Sequence, residues 1–258
     1  MLKAGLVSIT FRQLKVEEII KLVIKAGLQG IEWGGDIHVP HGDIKKACKV
    51  AKLSEGEGLE VAAYGSYYRV GCNNHKIGLF ENVLETAVAL GAPTIRVWAG
   101  DRASNKTNKD WCKRVIEESR RIATMAENEN IAIAYEYHDD TLTDTNGSAL
   151  RLMDLVKHPN VFLYWQPPHY LTVEERCQDL KNILPWLKNI HVFYWIHASE
   201  WKRLPLEEAR KEWLKYFELI ARSKDDRYAM LEFVNGDSPE QFLIDSKTLK
   251  NMLKKVND

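Results

Sequence analysis

The sequence predicts a single-domain α/β protein, a closed (β/α)8 TIM barrel spanning residues 1–258. Three observations carry that expectation. Eight short apolar runs recur at intervals of about 25 to 40 residues, the length of one strand-plus-helix unit. Amphipathic stretches fill the intervals. No Gly/Ser linker, charge block or low-complexity run divides the chain, so one unit is expected rather than two. A doubly wound open sheet competes with the barrel, but neither GxGxxG nor GxxxxGKS/T follows any apolar run.

The strands are expected at Ala4–Ile9, Gly30–Trp33, Leu59–Gly65, Thr94–Ala99, Ile131–Tyr137, Val161–Trp165, Ile190–Trp195 and Tyr228–Val234. Among the helices, Val16–Ala26 places Ile19, Ile20, Val23 and Ile24 on one stripe and stops at Gly27, a residue suited to the left-handed cap. Leu79–Leu90 ends at Gly91-Ala92-Pro93, and Lys109–Asn128 is long and charged on its outside. Pro205–Arg222 carries Glu207 and Glu208 in its first turn, where the helix dipole favours them. Ser238-Pro239-Glu240 caps a last helix running to about Val256.

Composition narrows the function classes. The 36 basic and 36 acidic side chains cancel, which gives no global attraction for nucleic acid or anionic membrane. No run approaches a membrane span, and the N-terminus lacks the charged, apolar and small-residue series of a secretory signal. The four cysteines form no CxxC pair, so reduced, buried thiols in a cytoplasmic protein are expected. No motif for NAD or another nucleotide is present, and neither GxSxG nor HExxH occurs.

In a parallel barrel the chemistry gathers at the C-terminal ends of the strands. The fifth expected strand carries Glu136, the sixth ends at Gln166, the seventh begins around His191 and the eighth carries Glu232. Two carboxylates, an imidazole and an amide oxygen suit a divalent ion with open positions. Mn²⁺ is the first choice, with Mg²⁺, Co²⁺ or Zn²⁺ as alternatives. Each residue also has a plainer role open to it, as a salt-bridged strand residue, a hydrogen-bonded histidine or a turn glutamine. Glu32, at the end of the second strand, has two roles open: holding a distal substrate hydroxyl, or pairing with Arg96. Trp98 offers an aromatic face suited to the C–H side of a sugar.

The order Glu136, Gln166-x-x-His169, His191 and Glu232 resembles the sugar phosphate isomerase/epimerase proteins of the xylose-isomerase-like barrel superfamily. Gly30-Ile31-Glu32-Trp33 and Ile95-Arg96-Val97-Trp98-Ala99-Gly100 look familial too. The resemblance covers essentially the whole chain and implies a metal-dependent isomerase or epimerase acting on a sugar or sugar phosphate. Glu136 and Glu232 would bind the metal and serve as the acid/base pair about a metal-stabilised enediolate. His191 would be a ligand, and His138 and His169 would contact substrate hydroxyls. An inosose-type dehydratase and a sugar-binding barrel without turnover are the alternatives. An abasic-site endonuclease is disfavoured because Tyr64 and Trp98 stand where extra histidine ligands would be needed. The resemblance further implies a small-molecule partner and a homo-oligomer.

The chain departs from the family in three places. Gln166 replaces the usual aspartate, Phe193-Tyr194 replace a Lys-Asp pair, and His197, a further expected substrate contact, stands where epimerases can hold an arginine. With two ligand carboxylates, the site is formally neutral against a divalent ion, so Gln166→Asp should tighten ion binding roughly tenfold by adding ligand charge. Titration of Mn²⁺ into both proteins checks this, and unchanged or weaker binding by the variant contradicts it.

Overall fold

A computed structural model describes residues 1–73, 78–197 and 199–257. Eight parallel strands close on themselves: β1 (Leu2–Val7), β2 (Gly30–Gly34), β3 (Glu60–Arg69), β4 (Thr94–Trp98), β5 (Ala132–Glu136), β6 (Val161–Trp165), β7 (Leu187–Val192) and, after a hairpin, β10 (Arg227–Leu231). The hairpin pairs β8 (Trp195–His197) with β9 (Trp201–Arg203) in antiparallel register. Helices α1 (Val16–Ala26), α2 (Ile44–Gly56), α3 (Phe80–Leu90), α4 (Lys109–Glu127), α5 (Asn146–Val156), α6 (Val173–Ile183), α7 (Arg210–Ala221) and α8 (Pro239–Asn257) alternate with the strands. The expected closed barrel is the one observed.

Local chemistry fixes the boundaries. The α1 helix stops where Gly27 takes φ 65°, and α3 stops where Gly91 takes φ 70°, a conformation that costs a Cβ-bearing residue more. At its start, α6 carries a capping box in which Thr172 accepts from the Glu175 amide and Glu175 returns the bond. Apolar helix faces and outward strand residues such as Ile95, Val97 and Ile133 form the main core. A second cluster, including Val7, Ala63, Ala134, Tyr164 and Met230, fills the inside of the barrel.

The third strand runs on to Arg69 rather than stopping at Gly65, the eighth barrel strand ends at Leu231 rather than Val234 so that Glu232 follows it, and two further strands are displaced along the chain. The seventh begins at Leu187 and ends at Val192, so His191 sits near its C-terminal end rather than at its start. The apolar run continues beyond Val192 only because Trp195-Ile196-His197 enters the hairpin. The first strand runs Leu2–Val7, and Ser8–Phe11 turns into a short 3-10 helix. The cysteines form no disulfide among the described residues, but Cys48 is exposed and the others half-buried, so the expected burial is not met. Among the described residues no helix is long and apolar enough to cross a membrane.

Candidate active site

The C-terminal rim of β5, β7 and β10 assembles the site. Glu136 is the last residue of β5, His191 is penultimate in β7, and Glu232 follows β10 directly. The ladder continues through the Glu232 amide, which donates to the Val192 carbonyl at 3.0 Å and thereby fixes Glu232 beside His191. One ligand atom from each of Glu136, His191 and Glu232 lies within 4.8 Å of the others, and all three residues are buried. His191 Nδ1 stands 3.4 Å from Glu136 Oε1 and 3.3 Å from Glu232 Oε2. It has no hydrogen-bond partner among the described residues. A buried nitrogen left unpaired between two carboxylates is costly unless something else fills the space.

The electrostatics ask for a cation there. Burial alone would lower the His191 pKa, but Glu232 and Glu32 with Glu136 outweigh it and raise the pKa far above the usual imidazole value. Burial would likewise raise Glu136, yet the charges of Arg96 and His191 hold that carboxyl well below the usual carboxylate range. Anionic oxygens and a histidine nitrogen around one point form a donor set that fits a divalent ion.

Beneath this layer lies an ion-paired network inside the barrel. Arg96 Nε donates to Glu32 Oε1 at 2.6 Å, and Arg96 Nη1 donates to Glu136 Oε2, which also accepts from Trp98 Nε1. Glu32 and Arg96 are almost wholly inaccessible, at 0% and 1% exposure. Glu32 lies within β2 rather than at its end, which accounts for its depth. Of the two roles the sequence left open, the Arg96 pairing is present, and Glu32 is too deep to line the mouth. Their charges cancel, so the formal sum set by Glu136 and Glu232 is unchanged.

Gly65 makes the network possible. It stands opposite Arg96 in the β3–β4 register, and a Cβ built there would lie 2.7 Å from both Arg96 Nη2 and Glu32 Oε1. Gly65→Ala is therefore expected to cost about 1–3 kcal/mol through overpacking. Thermal unfolding checks it, and an unchanged Tm contradicts it.

Above the network opens a cavity of about 450 Å³. Gln166 lines it half-buried, and its Nε2 donates to the Tyr137 carbonyl, which leaves the amide oxygen as the free end. His138 stacks on Trp98 with ring centroids 4.5 Å apart. Its Nδ1 lies 2.7 Å from the Asp139 carbonyl and must donate there, so Nε2 is the uncommitted nitrogen. His169 packs its ring edge-on against Trp201 at 4.6 Å. His138, His169 and Trp98 all line the cavity, whereas His197 is exposed on β8 against Trp201 and does not.

Tyr67 and Trp195, aromatics near expected strand ends whose faces suit the C–H side of a sugar, also form the wall, and Phe233, which the sequence pattern did not single out, joins them. Tyr67 adopts φ 58°, and its ring lies 4.9 Å from the Arg96 guanidinium. In the sequence, Arg96 figured as a partner for Glu32 and as part of the family-like strand-four segment, without a role of its own in the site. Its signal was a charge between Ile95 and Val97 in a short apolar strand, whose alternation turns it inward.

Carboxylates and a histidine gathered at the C-terminal rim of a closed parallel barrel stand where barrel enzymes carry their chemistry. The family model described as xylose isomerase-like TIM barrel matches residues 20–255, and the chain belongs to that family. A 3-dehydroshikimate dehydratase of Bacillus anthracis is 23% identical over 276 residues, covering 97% of each chain. The crystal structure of the probable 3-DHS dehydratase AsbF of Bacillus anthracis superposes with TM-score 0.75 at 20% identity, over 97% of this chain and 99% of that one. A D-psicose 3-epimerase from Clostridium cellulolyticum H10, solved with D-tagatose, gives TM-score 0.74 at 16% identity over 99% of both.

Proposed function

We propose that the protein is a divalent-metal-dependent isomerase or epimerase that moves a proton at the carbon beside the carbonyl of a polyhydroxylated ketone. The observation carrying this reading is the convergence of Glu136, His191 and Glu232, whose two carboxylates line one aromatic-walled cavity. Those three residues would hold the ion, with the Gln166 amide oxygen as a fourth donor, and Mn²⁺ is the first candidate. When bound, the ion supplies Lewis-acid polarisation of the substrate carbonyl.

The protein's own groups divide the remaining work. Glu136 Oε2 is engaged by Arg96 and Trp98, which makes it a poor proton acceptor. The Glu232 carboxylate has no such donors among the described residues and faces His191, so Glu232 takes the proton from carbon. The electron pair of the broken C–H bond passes toward the former carbonyl oxygen, giving an enediolate. In epimerisation, the free Oε1 of Glu136 takes up a proton from solvent and passes it to the opposite face of the enediolate carbon, while Glu232 gives its proton up to solvent. His138 and His169 meet substrate hydroxyls, and Trp98 presents its ring to the substrate.

A second reading, dehydration, is favoured by the same asymmetry. One unencumbered base suffices when the electron pair next expels a β-hydroxyl, which takes up a proton and leaves as water. The dehydratase relative over 97% of both chains supports it. In either reading the protein acts on a small molecule as a cytoplasmic homo-oligomer, with no nucleotide, nucleic acid or membrane.

Incubating Mn²⁺-loaded protein in D₂O with ketoses and cyclic polyhydroxy ketones tests the proposal. Deuterium should appear at the carbon beside the carbonyl; loss of water with a conjugated chromophore would select dehydration. Neither wash-in nor water loss across the panel would contradict enzymatic proton transfer and leave a sugar-binding barrel.

A further inference from the structure

The two nitrogens of His191 have different surroundings. Nε2 meets Glu32 Oε2 at 3.4 Å in a hydrogen bond, whereas Nδ1 lies between the candidate ligand carboxylates, 3.4 Å from Glu136 Oε1 and 3.3 Å from Glu232 Oε2, without hydrogen-bond geometry to either. An ionised carboxylate only accepts, so Nε2 keeps its hydrogen toward Glu32, and Nδ1, which faces the ligand carboxylates Glu136 and Glu232, is the nitrogen that would exchange its hydrogen for an ion. The ring is restrained against turning over: Tyr164 packs edge-on against it at 5.3 Å, and Tyr164 is itself held by Asn189, whose Nδ2 donates to the phenol oxygen at 2.6 Å. Glu32 is held in turn by Arg96, which also grips Glu136.

We propose that Glu32 is the positioning residue of the metal centre: it fixes the Nε2–H tautomer of His191, so that Nδ1 is the ligating nitrogen. Arg96 ties this carboxylate to the ligand Glu136, so β2, β4, β5 and β7 orient two ligands through one buried relay. A carboxylate behind a ligating histidine orients the ring and raises its basicity, and losing such a partner typically weakens metal binding about 10- to 100-fold. The inference rests on the metal reading above.

Two measurements test it. In wild-type protein carrying isotope-labelled histidine and NMR-active cadmium, the scalar coupling to His191 should fall on Nδ1, with the proton on Nε2. Separately, Glu32→Gln should bind Co²⁺ about 10- to 100-fold more weakly and shift the visible Co²⁺ bands. Coupling at Nε2, or a Glu32→Gln affinity within twofold of wild type, overturns the inference while the metal reading stands. Absence of cadmium binding by wild type overturns both. If Glu32→Gln does not fold, the wild-type spectrum decides alone.

Discussion

Replacing Arg96 with methionine is expected to destabilise the protein by about 3–5 kcal/mol when no divalent ion is present. The guanidinium is buried and holds two carboxylates that are also buried. Removing it strands Glu32 and Glu136 beside Glu232, short of water and with one imidazole, His191, to share among three carboxylates. For a chain of this size the loss corresponds to roughly 6–20 °C in Tm. Arg96→Lys should not rescue it, because one ammonium cannot reproduce the fork that reaches both glutamates. Added Mn²⁺ should recover part of the loss, since the variant keeps the rim carboxylates and lacks the internal cation. Thermal unfolding in chelator and in Mn²⁺ measures both effects. A loss below about 1 kcal/mol in chelator would mean that the ion pairs contribute little to the fold.

Glu232→Gln is expected to lower the rate of deuterium wash-in about 10²- to 10⁴-fold, the contribution of a positioned general base. The amide keeps the shape and one oxygen but does not accept the substrate proton. Stability should change little, because no arginine among the described residues depends on Glu232 for a hydrogen-bonded ion pair. Glu136→Gln should behave differently: it weakens the Arg96 pair as well as the site, so turnover and Tm fall together. A Glu232→Gln rate within tenfold of wild type would remove Glu232 from the proton-transfer step.

Glu136 and Glu232 were legible in the sequence because each follows an uninterrupted apolar strand at the rim where barrel chemistry collects. His191 was legible as a candidate but not in its place. Lys188 and Asn189 broke the apolar pattern, so Leu187 was not read as the strand start. Tertiary pairing overrides that pattern: Asn189 is buried, its side-chain oxygen accepts from the Tyr228 amide, and its amide nitrogen serves Tyr164. The Glu32–Arg96 relay was visible only as one of two possibilities. Whether a strand carboxylate faces substrate or an internal base depends on depth, which Gly65 sets by leaving room for the guanidinium. The hairpin wall was not legible, since Trp195-Ile196-His197 looks like a continuation of the preceding strand until Trp201–Arg203 pairs with it.

A crystal grown with Mn²⁺ and measured at the manganese absorption edge tests most directly whether Glu136, His191 and Glu232 share one ion. A single anomalous peak within about 2.0–2.6 Å of a ligand atom from all three is predicted. A peak seated elsewhere, or none at this rim with Mn²⁺ in excess, would contradict it.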